Sequence, residues 1–262
     1  MRLIPAGLLT IALLATVNGP LFAQQQWGDI KGQVIWAGKN IPPPKVINNK
    51  GCPCAKAVVD NSLIINPRNK GVQNVVVWLV DPNGKALPIH KDLKAIPTKA
   101  AVIDQPCCLF EPRATAIRAG QPLEIHNSAA IAHNALLSGK TNGSKNILIP
   151  PGKKEIFQGK TALLPEPRAI SLACNIHGWM GGRIYVFDQP YFAITDADGK
   201  YEIKNAPSGN YLIYMQHELA GWLHSPRVVN NGVGGSKGQA ITIPAGKALE
   251  MEPAKFKPEF LK

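Results

Sequence analysis

Residues 169–188 read AISLACNIHGWMGGRIYVFD, two strand-like runs enclosing a short loop rich in turn residues. In the first run Ile170, Leu172 and Cys174 fall on one face, which aims the Cys174 thiol at a core rather than at water. The loop then carries His177 and Met180. A thiolate, two imidazoles and a weak thioether are the donors that suit copper moving between its two oxidation states. One imidazole is still required.

Tertiary metal sites draw ligands from distant parts of a chain, and the stretch EIHNSAAIAHNALL at residues 124–137 offers His126 and His133. Leu123 and Ile125 mark the inward face of the strand there, so His126 points outward. His133 lies beyond the strand end, among Ala129, Ile131 and Ala132. It is the better candidate.

These residues resemble the cupredoxins, the blue-copper proteins, and among them the amicyanins. The resemblance lies in Cys174-x-x-His177-x-x-Met180 followed by a Gly-containing strand, in His133-Asn134, and in Asn127 six residues before that histidine. It extends to FEPRATAIRAGQPLEIHN, which is similar to the family's lead-in strands, and spans roughly residues 107–188. It implies a Greek-key sandwich with one mononuclear copper held by His133, Cys174, His177 and Met180, working in outer-sphere electron transfer. Asn134 would hold the ligand loop through the backbone near Asn175. A docking patch for a redox partner would surround His177, formed by Trp179, Pro150 and Pro151. The departure is Gly178-Trp179 between His177 and Met180, where the family tends to have Pro and a different aromatic residue.

A second pattern flanks the first. DIKGQVIWAG (29–38) and NVVVWLVDPNGK (74–85, ending in an Asn-Gly turn) read as strands, separated by the breaker IPPPK (41–45). After the ligand loop comes YFAITDADGKYEIKNAPSGNYLIYMQHE (191–218), with a turn at Asp198-Gly199 and another from Pro207 to Gly209. It resembles the transthyretin-like, carboxypeptidase-regulatory β-sandwich. An all-β chain follows, a cupredoxin sandwich plus a transthyretin-like one. In the favoured layout residues 27–95 and 189–245 form the second sandwich, and the copper domain, 100–188, is inserted between them. Insertion at a loop costs little chain entropy. A linear order is the alternative. The Gly-rich run 228–238 is expected to be a mobile loop, and residues 246–262 a loosely tied tail.

Composition agrees with strands and turns: 24 Gly, 23 Pro and only 18% charged residues. Residues 1–23 combine Arg2, an apolar run and a terminal Leu-Phe-Ala, the pattern of a cleaved secretory signal, so the mature protein is expected in the periplasm or outside the cell. No later segment is apolar enough to span a bilayer. The net charge of +12, less Arg2, is spread over single lysines, which favours an acidic redox partner and gives no basic helix for nucleic acid.

Four cysteines remain, Cys52 and Cys54 in GCPC and Cys107 and Cys108 in QPCCLF. In an oxidising compartment they are expected to form disulfides between the two pairs; a thiolate site for a soft metal is the alternative. His217-Glu218 with His224 reads as strand-end polar residues or an exposed auxiliary metal site. No hydrolytic or nucleotide-binding motif is present. An electron carrier, not an enzyme, is the expectation; copper delivery through the other cysteines, or a structural envelope sandwich with a silent site, are the alternatives.

Overall fold

The computed structural model describes residues 25–48, 51–53, 57–223 and 238–261. The expected signal segment, Cys54, His224 and residues 228–237 of the Gly-rich run lie outside them. The chain opens with β1 (Trp27–Trp36) and β2 (Val76–Val80). Eight strands follow: β3 (Ala101–Ile103), β4 (Ala114–Arg118), β5 (Leu123–His126), β6 (His133–Ser138), β7 (Ser144–Ile149), β8 (Lys154–Phe157), β9 (Ile170–Ala173) and β10 (Gly181–Phe187). The last seven are β11 (Phe192–Ile194), β12 (Lys200–Pro207), β13 (Gly209–His217), β14 (Gly221–Trp222), β15 (Gln239–Ile243), β16 (Ala248–Glu250) and β17 (Ala254–Phe256). Among the described residues the helical elements are three short 3-10 turns.

The strands bury two separate cores. Sheets β12-β1-β16, with β17 also on β1, and β11-β2-β13-β14, with β15 also on β13, enclose the first, where Ile30, Val34, Leu79 and Ile213 are buried. Sheets β4-β10-β9-β6-β7 and β3-β5-β8 enclose the second, around Phe110, Ile117, Leu123, Leu172 and Ile184. The period of two explains the inward sets: Leu123 and Ile125 are fully buried while Glu124 and His126 face outward and pair at 2.6 Å. Among the named strands, β1 and β2 pair only with strands that follow Phe187, and β3 to β10 pair only with one another.

Residues 246–261 of the expected tail 246–262 are tied to the first core rather than loose. β16 and β17 run parallel to β1, and the alternation in Ala254-Lys255-Phe256 sends Ala254 and Phe256 into the first core. Phe256 is fully buried, its ring 5.7 Å from that of Trp36. Burying such a ring stabilises by about 1.5–3 kcal/mol, enough to hold a short strand between prolines. Before β12, Asp196 Oδ1 accepts the backbone N–H groups of Asp198 and Lys200 at 2.9 and 2.8 Å. Gly199 there has φ +72°, and a Cβ would fall 2.3 Å from the Val34 carbonyl oxygen, so only glycine fits.

The two cores meet through Val76, Ala114 and Tyr185, with Trp78 and Phe187 packed against them. Arg113, just before β4, forks onto Glu218, just after β13, with Nε and Nη2 donating at 2.6 and 2.8 Å; Nη1 donates to Asn61 Oδ1 at 2.9 Å. Both side chains are nearly buried, 10% and 11% exposed. His217 closes β13, as the strand-end reading had it, but neither residue is exposed as the alternative of an auxiliary metal site needed. His217 is 1% exposed and edge-on to Phe256 at 5.0 Å. Burial, aided by the Arg113 cation, lowers its pKa to about 4.

Arg113→Met leaves the Glu218 charge buried without its partner and is expected to lower unfolding free energy by about 3–5 kcal/mol, whereas Arg113→Met with Glu218→Leu restores most of it. Urea denaturation of the three proteins checks this. His217 adds a pH dependence. Its neutral form is common to both states above the ordinary histidine range, but below about pH 6.5 the unfolded chain takes up a proton that the folded one refuses until about pH 4. Stability is thus lost as pH falls across that window, by about 3 kcal/mol in all. His217→Gln is expected to flatten the slope between pH 6.5 and 4 by about one proton.

Candidate metal centre

β6 and β9 run antiparallel with Leu136 opposite Ala173, so the chain leaving β9 continues toward Asn134 and His133. β10 then returns beside β9, with Gly181 opposite Ala173. Residues 174–180 therefore form a loop closed over the start of β6. Within it the Met180 N–H donates to the His177 carbonyl at 2.9 Å and the Cys174 N–H to the Met180 carbonyl at 3.3 Å. Cys174, His177 and Met180 are 2%, 6% and 1% exposed, and His133 is fully buried.

The ring Nδ1 atoms of His133 and His177 face each other at 3.0 Å, and Cys174 Sγ lies 4.0 Å from His177 Nδ1. Two facing ring nitrogens at that distance share at most one proton, so at least one lone pair points into the space between them. Burial, with the neighbouring His177 second, lowers the His133 pKa to about 4, and burial also lowers that of His177. Both imidazoles are thus neutral at ordinary pH, as ligation requires.

Asn134 organises the loop. Its Oδ1 accepts the Asn175 N–H at 2.8 Å, the Ile176 N–H at 3.4 Å and the Cys174 thiol at 3.3 Å, while its Nδ2 donates to Asn146 Oδ1 at 2.6 Å. Asn127 shapes the approach to His133: its Nδ2 donates to the carbonyls of Ile131 and Ile149 at 2.9 and 2.8 Å, and its Oδ1 accepts the Ala129 N–H at 3.1 Å. Met180 packs in the second core beside Cys174. Pro150 and Pro151 are exposed, in the turn after β7. Trp179 is only half-buried, its ring 5.2 Å from that of His177, and its Nε1 donates to the Cys108 carbonyl at 3.0 Å.

Two neighbours were not foreseen from sequence. Gln105 is fully buried and donates through Nε2 to the Asn134 carbonyl at 3.4 Å. Cys108 Sγ and ring nitrogens of His133 and His177 lie within 4.8 Å of one another, a group that stands alone among the described residues. Cys108 is not a thiolate here, being bonded to Cys52 with a Cα–Cα separation of 6.4 Å. Cys107 is disulfide-bonded as well, and Cys174 is free. The signal was present in the spacing, since Cys108 stands two residues before Phe110, where the lead-in begins.

No family model and no curated protein matches the chain. Among solved structures an oxidised amicyanin variant is 17% identical, with 35% of this chain and 86% of that one aligned at a TM-score of 0.29. The purple cupredoxin from Nitrosopumilus maritimus is 17% identical over 33% of this chain and 99% of that one, at 0.27. A copper-containing nitrite reductase from Thermus scotoductus is 19% identical over 41% of this chain and 27% of its own, at 0.29. At such scores none of the three adds weight to the geometry above.

Asn134→Ala removes the acceptor shared by Cys174, Asn175 and Ile176, and is expected to destabilise the apoprotein by about 1–3 kcal/mol. If the centre holds a metal, the same change should weaken its binding by about 10–100-fold, since Asn134 would orient the ligands rather than be one. Chelator competition and urea unfolding read the two effects separately.

Proposed function

We propose that this chain is an exported copper protein of the cupredoxin type that carries one electron between redox partners. The observation that supports this most is the convergence of the two buried, neutral imidazoles at 3.0 Å with the Cys174 thiol 4.0 Å from one of them. His133, His177 and Cys174 would hold a single copper, with Met180 as the weak axial donor, and the copper would supply a one-electron couple.

The chain's own part is to keep these donors in place. Asn134 fixes the loop at both Asn175 and Ile176, and the apolar core around Cys174 and Met180 keeps water away. A ligand cage that needs little rearrangement suits electron exchange at the protein surface. Ile176 (52% exposed) and Leu148 (63%) join Pro150 and Pro151 as the apolar face for docking a partner, with Trp179 at its inner edge. The basic surface would speed encounter with an acidic one. Export is supported by the signal-like residues 1–23 and by the disulfides, which persist in oxidising compartments. Among the described residues no helix is long and apolar enough to cross a membrane. The flanking strands, β1, β2 and β11 to β17, would be the transthyretin-like sandwich into which the copper unit is inserted.

The deciding measurement is the visible absorption and paramagnetic-resonance spectrum of the protein loaded with Cu(II), beside Cys174→Ser. An intense thiolate-to-copper band in the wild type and its loss in the variant are expected. No band in either protein would sink the electron-carrier reading and leave a structural sandwich with a silent site.

A further inference from the structure

The disulfide at the edge of the candidate centre has no part in the metal chemistry above, yet one of its sulfurs sits beside the two imidazoles. Cys108 Sγ lies within 4.8 Å of ring nitrogens of both His133 and His177. The His133 ring is fully buried, and its Nε2 has no hydrogen-bond partner among the described residues. Trp179 ties the two parts together: its ring packs on His177 while its Nε1 holds the Cys108 carbonyl at 3.0 Å. Cys108 itself sits at φ 49°, with its side chain fully buried. The Cys52 half of the bond is only partly buried, at a cleft of about 170 Å³ lined also by Pro53, Pro106 and Ala129. Cys52 is therefore the less buried half of the bond, and Cys108 the half beside the imidazoles.

We propose that Cys108 is a latent metal ligand, masked by the Cys52–Cys108 disulfide and unmasked by reduction, which converts the centre into a two-thiolate, two-imidazole site for a soft d10 cation such as Cu(I) or zinc. The proposal rests on the metal-site reading above. The reductant is a dithiol. Its thiolate attacks Cys52 Sγ, on the less buried residue of the pair, the Cys52–Cys108 bond breaks, and Cys108 leaves as a thiolate beside His133 and His177. The second thiol of the reductant then attacks the mixed disulfide, releasing Cys52, which takes up a proton. The dithiol supplies both electrons and ends as a disulfide. Cys108 with His133 and His177, its neighbours within 4.8 Å, would be joined by Cys174, 4.0 Å from His177 Nδ1, in an S2N2 set, the donor chemistry of tetrahedral soft-metal sites, in place of one in which a single thiolate and a weak thioether favour electron exchange. Oxidised, the centre is built to pass electrons; reduced, it is built to hold a cation.

The test uses the full mature chain in three forms: untreated, reduced with a phosphine that is then removed anaerobically, and Cys108→Ser treated in the same way. Each is loaded with Co(II) as a spectroscopic probe. Reduced wild type is expected to show about twice the thiolate-to-cobalt intensity of untreated protein, as one thiolate becomes two. Cys108→Ser, which keeps Cys107 available after reduction, should stay at the single-thiolate level. Cys52→Ser frees Cys108 without any reductant and should give the doubled intensity from the start, which guards against a Cys108 variant that merely folds badly. Equal intensity in reduced wild type and Cys108→Ser overturns the proposal, and if that shared intensity vanishes in Cys174→Ser the metal-site reading survives. A spectrum without thiolate intensity in any form overturns both.

Discussion

The carboxamide oxygen of Asn134 is the point on which the candidate centre depends. It accepts from the Cys174 thiol and from the N–H groups of Asn175 and Ile176, so one side chain on β6 sets the conformation of a loop that belongs to β9 and β10. That choice follows from topology. Because β6 and β9 are antiparallel with Leu136 opposite Ala173, the loop leaving β9 must pass over Asn134 and His133. Its backbone donors, removed from water there, need a partner in the same place.

Burial does the second part of the work. Burial makes a charged imidazole costly, so His133 and His177 are neutral and each keeps one ring lone pair. The same effect acts on His217 beside Phe256 of the first core, where no ligand set surrounds it among the described residues. Neutral buried histidine is thus common to both cores; what distinguishes the second is that two such rings and a thiol face one another.

The two cores are joined by apolar packing, an ion pair and a disulfide. The Arg113–Glu218 fork crosses from the strand that flanks β10 to the end of β13, and Tyr185 of β10 packs against Val76 of β2. Cys52, which precedes β2, is bonded to Cys108, which precedes β4. The surroundings of the ligand loop are therefore fixed partly by residues from the flanking strands, and a chain cut down to β3–β10 would lose the Cys52 sulfur and the Glu218 carboxylate.

Much of this was legible in the sequence. Alternation marked β1, β2, β5, β9, β10, β12 and β13, and the turn at Asp198-Gly199 followed from residue type. His126 was read as outward from the period of two, and His133, past that strand's end among apolar residues, is the histidine that is buried. β17 was hidden because Pro253 and Pro258 frame a strand too short to show its alternation, and only the pairing with β1 gives Ala254 and Phe256 a core to enter. The burial of His217 and Glu218 could not be read from the sequence, because Phe256 and Arg113, which pack on them, come from distant parts of the chain. What the sequence by itself determined was the set of local choices, strand faces, turns and the donors of one loop, since these follow from neighbouring residues. The tertiary structure alone decided which distant groups share a space: Asn134 with the loop, Arg113 with Glu218, and a disulfide sulfur with two imidazoles. Those meetings depend on sheet register and crossover connections, which bring together residues far apart along the chain.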